Sequence, residues 1–235
     1  MSRGIRIEGR TLLGDLVAEF ILAHGADPAE ELAARGWSYT AVAEAFAREG
    51  DEGAVIRASV VPLIGEGSAT TRLPAAPGQE PPPHDVEVRV HQRLSACAVV
   101  IRDGAILLTE LSGRVFRGGG DWTLPGGGVD RGEDPAIGVR REVWEETGQH
   151  LGPVELIDLV TSRWVGRAPS GRWEDYQVVR LIYRATVPQP EPLVVHDADG
   201  TTASAAWVPL ADLPALPRAP LIAHPRVTDW LGIPR

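Results

Sequence analysis

Residues 127–149, GGVDRGEDPAIGVRREVWEETGQ, constrain this chain more than any other stretch, because acidic side chains recur there at fixed helical spacings. Just upstream, Trp122-Thr123-Leu124-Pro125 reads as a short strand. It runs into Gly126-Gly127-Gly128, where residues without Cβ let the backbone bend and leave carbonyls open. Asp134 is then a good N-cap, and Pro135 sits at the first helical position, where its missing N–H costs nothing. Ala136, Val139 and Val143 form an apolar stripe, which Ile137 and Trp144 would widen, and Gly148 supplies a left-handed stop. The other side carries Glu142, Glu145 and Glu146, which meet within one turn of helix and repel one another. Arg140 and Arg141 are the local counter-charges, so the cluster favours a cation. Hard carboxylate oxygens suit Mg²⁺ or Mn²⁺. Taken alone, Glu-x-x-Glu-Glu also describes a solvated acidic helix face.

The wider spacing separates these readings. Gly127, five residues, Glu133, seven residues and then Arg141-Glu142-Val143-Trp144-Glu145-Glu146-Thr147-Gly148 resembles the box G-x5-E-x7-R-E-U-x-E-E-x-G-U of the Nudix (MutT-like) hydrolases, U being aliphatic. Its seven fixed identities would coincide by chance less than about once in ten million start positions. The one departure is Gln149, in place of the last U, which predicts weaker packing at the helix end. The resemblance implies an α/β fold, the Nudix-type α/β/α sandwich with a mixed sheet. It also implies a divalent metal, Mg²⁺ or Mn²⁺, held by Glu142, Glu145, Glu146 and the carbonyl of Gly127. Arg141 would orient Glu142, Glu133 would pair with an arginine across the turn, and Glu142 is the first choice of general base. The implied reaction is attack of water on phosphorus in a nucleoside diphosphate linked to another group, with the metal neutralising phosphate charge.

Composition narrows the partners. The chain has 235 residues, 43% of them hydrophobic, which is ample for a core. A net charge of −9 argues against nucleic acid or an anionic membrane as partner, since both need a positive field; a small nucleotide substrate remains compatible. The chain contains no lysine, so any phosphate clamp must be built from arginine. With neither a spanning apolar run nor a secretory pattern, a cytoplasmic location is expected. Cys97, the single cysteine, lies in an apolar run and reads as a buried thiol.

Residues 1–73 read as a small, mainly helical segment. Leu12, Leu13, Leu16, Val17, Phe20 and Ile21 fit a helical period, Asp27-Pro28 opens a second helix, and Ser38 could cap a third to about Glu49. Such a segment would dock or form a homodimer. A second reading makes the chain a nucleotide-sensing regulator whose helices bind DNA or a protein, but only Arg48 on the third helix is basic. Residues 74–85 form a proline-rich linker, and 86–235 the Nudix domain. There, strands are expected at 86–90, 95–101, 105–109, 154–165, 176–187 and 206–210, with an Asp103-Gly104 hairpin turn. For substrate, Arg114 or Arg117 could replace an arginine common after the third of these strands. Arg163, Arg167 and Arg172 bracket a polar loop and could hold phosphate, Trp164 could stack on a base, and Glu174 could add an outer carboxylate.

Overall fold

The computed structural model describes residues 4–48, 53–65, 70–73, 82–113, 119–167, 172–196, 200–224 and 226–232. In chain order its elements are β1 (Arg6–Arg10), β2 (Leu16–Ile21), α1 (Pro28–Ala33), β3 (Trp37–Ala47), β4 (Ala54–Pro62), β5 (Val88–Arg102) and β6 (Ala105–Leu111). There follow β7 (Trp122–Thr123), β8 (Gly126–Gly128), α2 (Pro135–Thr147), β9 (Val154–Arg167), β10 (Trp173–Ala185), β11 (Thr202–Pro209), a 3₁₀ turn at Leu213–Ala215 and α3 (Val227–Trp230).

The central sheet has the order β11-β6-β5-β10-β9, with β7 beside β6 and β8 beside β5. β5 and β10 run parallel while β9 and β10 are antiparallel, so the sheet is mixed. The expected strands at 86–90 and 95–101 are a single strand, β5. Asp103 and Gly104, both at positive φ, make its hairpin to β6.

Side-chain alternation along β5 divides the core. Ala96, Ala98 and Val100 face one side with Val139 and Val143 of α2; Cys97 and Val99 face the other, beneath Leu213, Leu221, Ile222 and Trp230. The outer layer on that second side is a 3₁₀ turn and a four-residue helix, thinner than a full helical layer.

The N-terminal segment is not helical as expected. It is a four-stranded sheet of order β2-β1-β4-β3 carrying one short helix, α1, where Asp27 caps Ala29 and Glu30 and Pro28 opens the first turn. Gly14, at φ 93°, ends the turn between β1 and β2, leaving Leu12 and Leu13 exposed at its tip. The third expected helix is β3, paired with β4. With the second and third helices absent as a pair, the helix-turn-helix required by the DNA-binding reading does not form.

This N-terminal sheet shares one hydrophobic cluster with the central sheet. Ile7, Leu22, Leu32, Ile56 and Val60 are packed in the same core as Leu94, Leu159 and Val179. Asp27 fastens the junction. Fully buried, its carboxylate accepts hydrogen bonds from Thr71 N (3.0 Å), Thr71 Oγ1 (2.6 Å) and Thr161 Oγ1 of β9 (3.2 Å) as well as from α1. Of the expected linker, residues 74–81 lie outside the described residues.

Candidate active site

Two elements, β8 and α2, build the site. β8 pairs with β5 so that Gly127 lies opposite Ala96. Gly126 has φ 139°, and a Cβ there would strike the carbonyl oxygen of Ala96. A Cβ on Gly127 would strike the carboxylate of Glu142. Gly126 therefore lets β8 lie close against β5, and Gly127 leaves its backbone beside the Glu142 carboxylate.

α2 is capped as its sequence specifies: Asp134 accepts from Ala136 N at 2.9 Å, and Gly148 sits in the left-handed region at φ 71°. Val139 and Val143 are fully buried. Ile137 and Trp144, however, are exposed and do not widen the buried stripe; Trp144 stacks instead on His196, ring centroids 4.3 Å apart. Gln149 does not loosen the helix end. It is fully buried, donating to Glu191 O (2.9 Å) and accepting from Glu191 N (3.1 Å), and so replaces aliphatic packing with two bonds to a passing strand of chain.

One guanidinium organises the acidic face. Arg141 donates to both oxygens of Glu133 (2.9 Å each), to Glu142 Oε1 (2.8 Å), to Glu145 Oε2 (3.1 Å) and to the carbonyl of Gly128 (2.9 Å). Glu146 stands outside this network: Oε2 accepts from Gly126 N (2.8 Å) and Oε1 from Thr202 Oγ1 (2.5 Å). The electrostatics follow. Arg141 holds the Glu133 carboxyl below the usual range, and the carboxylates in turn hold Arg141 more firmly protonated. Glu142 moves the other way: burial raises it, against the pull of Arg141 and of nearby Arg93. Among the described residues no three His, Cys, Asp or Glu side chains converge as a finished metal cage. The donor set is nevertheless chemically suited to a hard divalent cation, since carboxylates and the Gly127 backbone meet within one turn of α2.

Beside the glycine turn opens a cavity of about 320 Å³, lined by Ser95, Leu111, Leu124, Trp164, Arg180 and Gly126–Gly127 among others. Arg163 also borders it, but its guanidinium is engaged by Asp175 (Nε to Oδ1, 2.8 Å), whose carboxyl it lowers. Cys97, at the cavity wall, is buried and its thiol is pushed up to about 11.

Other expected residues fall elsewhere. Arg172 borders a different cavity, and Glu174 approaches His91 at 3.7 Å, so neither joins the face of α2. Strand β9 ends later than expected, at Arg167, and β10 begins earlier, at Trp173, and ends earlier, at Ala185. Arg114 and Arg117 lie outside the described residues. Sequence reasoning passed over Arg93, Ser95, Arg180 and Thr202. Thr202 is 56 residues from Glu146 and belongs to no spacing pattern. Arg93, Ser95 and Arg180 lie on β5 and β10, where only alternation and pairing reveal which face they occupy.

The family model for the NUDIX domain matches residues 91–231. The chain belongs to the Nudix family. It is 33% identical over 184 residues to the human (Homo sapiens) 8-oxo-dGDP phosphatase NUDT18, covering 76% of this chain and 50% of that protein. It is 35% identical over 107 residues to the RNA pyrophosphohydrolase of Brucella ovis, covering 40% of this chain and 58% of that one. The chain thus spans about half the length of the curated relatives it matches. Among solved structures, a MutT NUDIX hydrolase from Burkholderia pseudomallei shares 30% identity over 55% of this chain and 90% of its own, with a TM-score of 0.43.

Proposed function

We propose that this protein is a divalent-metal-dependent hydrolase that cleaves the diphosphate linkage of a nucleoside diphosphate derivative by attack of water on phosphorus. The observation that carries this reading is the packing of the Glu142 carboxylate against the Gly127 backbone, with Glu145 tied to the same Arg141. Nudix hydrolases generally use divalent metal ions. Glu142, Glu145, Glu146 and the Gly127 carbonyl would hold the ion, Mg²⁺ being our choice over Mn²⁺. When bound, it would neutralise phosphate charge and activate the attacking water.

The chain's own groups supply the rest. Arg141 orients Glu142 and Glu145. Glu142, whose carboxyl burial raises above the usual carboxylate range, is our choice of general base. Trp164, Leu111 and Leu124 give the neighbouring cavity an apolar lining of a size suited to a nucleobase, while Ser95, buried and with its hydroxyl unpartnered among the described residues, can read a polar edge. The human relative's printed substrate, 8-oxo-dGDP, makes an oxidised nucleoside diphosphate the first to try. The reading includes a cytoplasmic location and a homodimer, which cell fractionation and light scattering test.

A turnover panel of oxidised and ordinary nucleoside di- and triphosphates, nucleotide sugars and 5′-triphosphorylated RNA, with phosphate and pyrophosphate quantified, tests the function. Nucleotide turnover that stops on adding chelator is the expected result. Turnover that is unchanged by chelator, or absent on the whole panel with Mg²⁺ and with Mn²⁺, overturns the reading.

A further inference from the structure

The arginines of the β9–β10 hairpin separate into two sets. Arg163 turns to Asp175 beside the cleft, whereas Arg167 and Arg172 join Arg89 of β5 around a distinct cavity of about 560 Å³. Register brings their backbones to one end of the sheet: Trp173 pairs with Arg167 on one side and with Val88 on the other, and Arg89 is level with Glu174. Trp173 lines the same cavity and is only 7% exposed, and its indole N–H has no acceptor among the described residues. The Arg167 guanidinium lies 5.7 Å from the Trp173 ring centroid. Neither Arg89 nor Arg172 has an ion-pair partner among the described residues. Glu87 is the acidic group on the cavity wall; Glu174, level with Arg89, is directed to His91.

Three guanidinium groups against one carboxylate leave a local excess of positive charge on a chain whose net charge is −9. Like charges held together without counter-ions repel. A ligand that relieves this repulsion must be anionic and must accept several hydrogen bonds at once. Guanidinium forks match the oxygens of a phosphate bidentately, and the terminal oxygens of a phosphate outnumber those of a carboxylate. We propose that this cavity is a second binding site, for a phosphate group of a small anion, separate from the acidic face of α2. Arg167 lies three residues beyond Trp164 on β9, roughly 10 Å along the strand and, by alternation, on the other face of the sheet. The phosphate therefore belongs to an independent phosphorylated ligand, or to a nucleotide in the cleft only if its far end passes round the end of the strands.

The test uses the full chain in chelator, where no hydrolysis occurs, so its outcome does not depend on the proposed activity. Inorganic pyrophosphate is titrated calorimetrically while the indole ¹⁵N–H resonance of Trp173, identified as the one lost in Trp173→Phe, is followed. Saturable binding with movement of that resonance is expected. The Arg89→Gln/Arg172→Gln protein, both changes being at exposed side chains, should bind at least tenfold more weakly, and Glu142→Gln/Glu146→Gln should bind as the wild type does. Repeating the titration with a saturating nucleoside diphosphate distinguishes the sources: competition means that the nucleotide's own phosphates reach the site, and simultaneous binding means a separate ligand. A Trp173 resonance unmoved by pyrophosphate, or equal affinity in the Arg89/Arg172 variant, overturns the proposal.

Discussion

Arg141 sets the terms on which each glutamate of α2 can be interrogated. It is bonded to Glu133, Glu142 and Glu145 but not to Glu146, whose partners are Gly126 N and Thr202 Oγ1. Glu142→Gln, Glu145→Gln and Glu146→Gln should all leave the fold intact. The variant that removes the general base should lose about 10² to 10⁴ in kcat; one that removes only a ligand should chiefly raise the metal concentration at half-activity. Steady-state kinetics across a Mg²⁺ series separates the two, and near wild-type turnover in both Glu142→Gln and Glu146→Gln would show that the acidic face is only solvated surface. Asp175 makes a pH prediction. Its carboxyl is held below the usual range first by Arg163 and then by His24, so the pairing contributes stability that is present above the unfolded value of about pH 4. That contribution is lost as pH falls through the lower folded value. Urea unfolding should show Asp175→Asn less stable than wild type at pH 6, with the difference narrowing towards pH 3; a gap that widens on acidification would refute the assignment.

At the scale of elements, α2 was legible because everything that defines it is local: Asp134, Pro135 and Gly148 mark its ends within fifteen residues. β3 was not, and its geometry shows why. The strand carries irregularities in register between Tyr39 and Ala41 and again between Val42 and Glu44, so its buried side chains, Tyr39 and Val42, fall three residues apart. That spacing, in the alanine-rich run Ala41–Ala47, imitates a helix in both period and propensity. Pairing with β4 overrides it, and no feature of the segment itself announces that partner. Gln149 was misjudged for a related reason. Its bonds go to the backbone of Glu191, 42 residues on, in a strand of chain that also donates from Val194 N to Thr147 O and from His196 N to Glu145 O. Gln149→Ala should therefore cost about 1 to 3 kcal/mol, read by urea unfolding. Because the same run of chain leads on to Thr202, the substitution should also lower metal affinity; an effect on neither quantity would mean that this run does not brace α2.

For the molecule as a whole, the shared cluster of Ile7, Leu32 and Ile56 with Leu94, Leu159 and Val179 makes the N-terminal sheet part of the support of β5 and β9. A fragment from Val86 onward would expose that apolar face. It should be aggregation-prone or less stable than the full chain, as light scattering and thermal unfolding would reveal; a monomeric fragment with undiminished stability would instead make the two parts independent folding units. Asp27 carries the same dependence in one side chain: Asp27→Ala strands the hydroxyls of Thr71 and Thr161 and uncaps α1. The bond from Asp27 to Thr161 spans 134 residues of sequence. At a synthesis rate of about 5 to 20 residues per second, Asp27 would leave the ribosome roughly 7 to 27 s before Thr161. Through that interval the nascent sheet carries a charged group committed to a dry interior that does not yet exist.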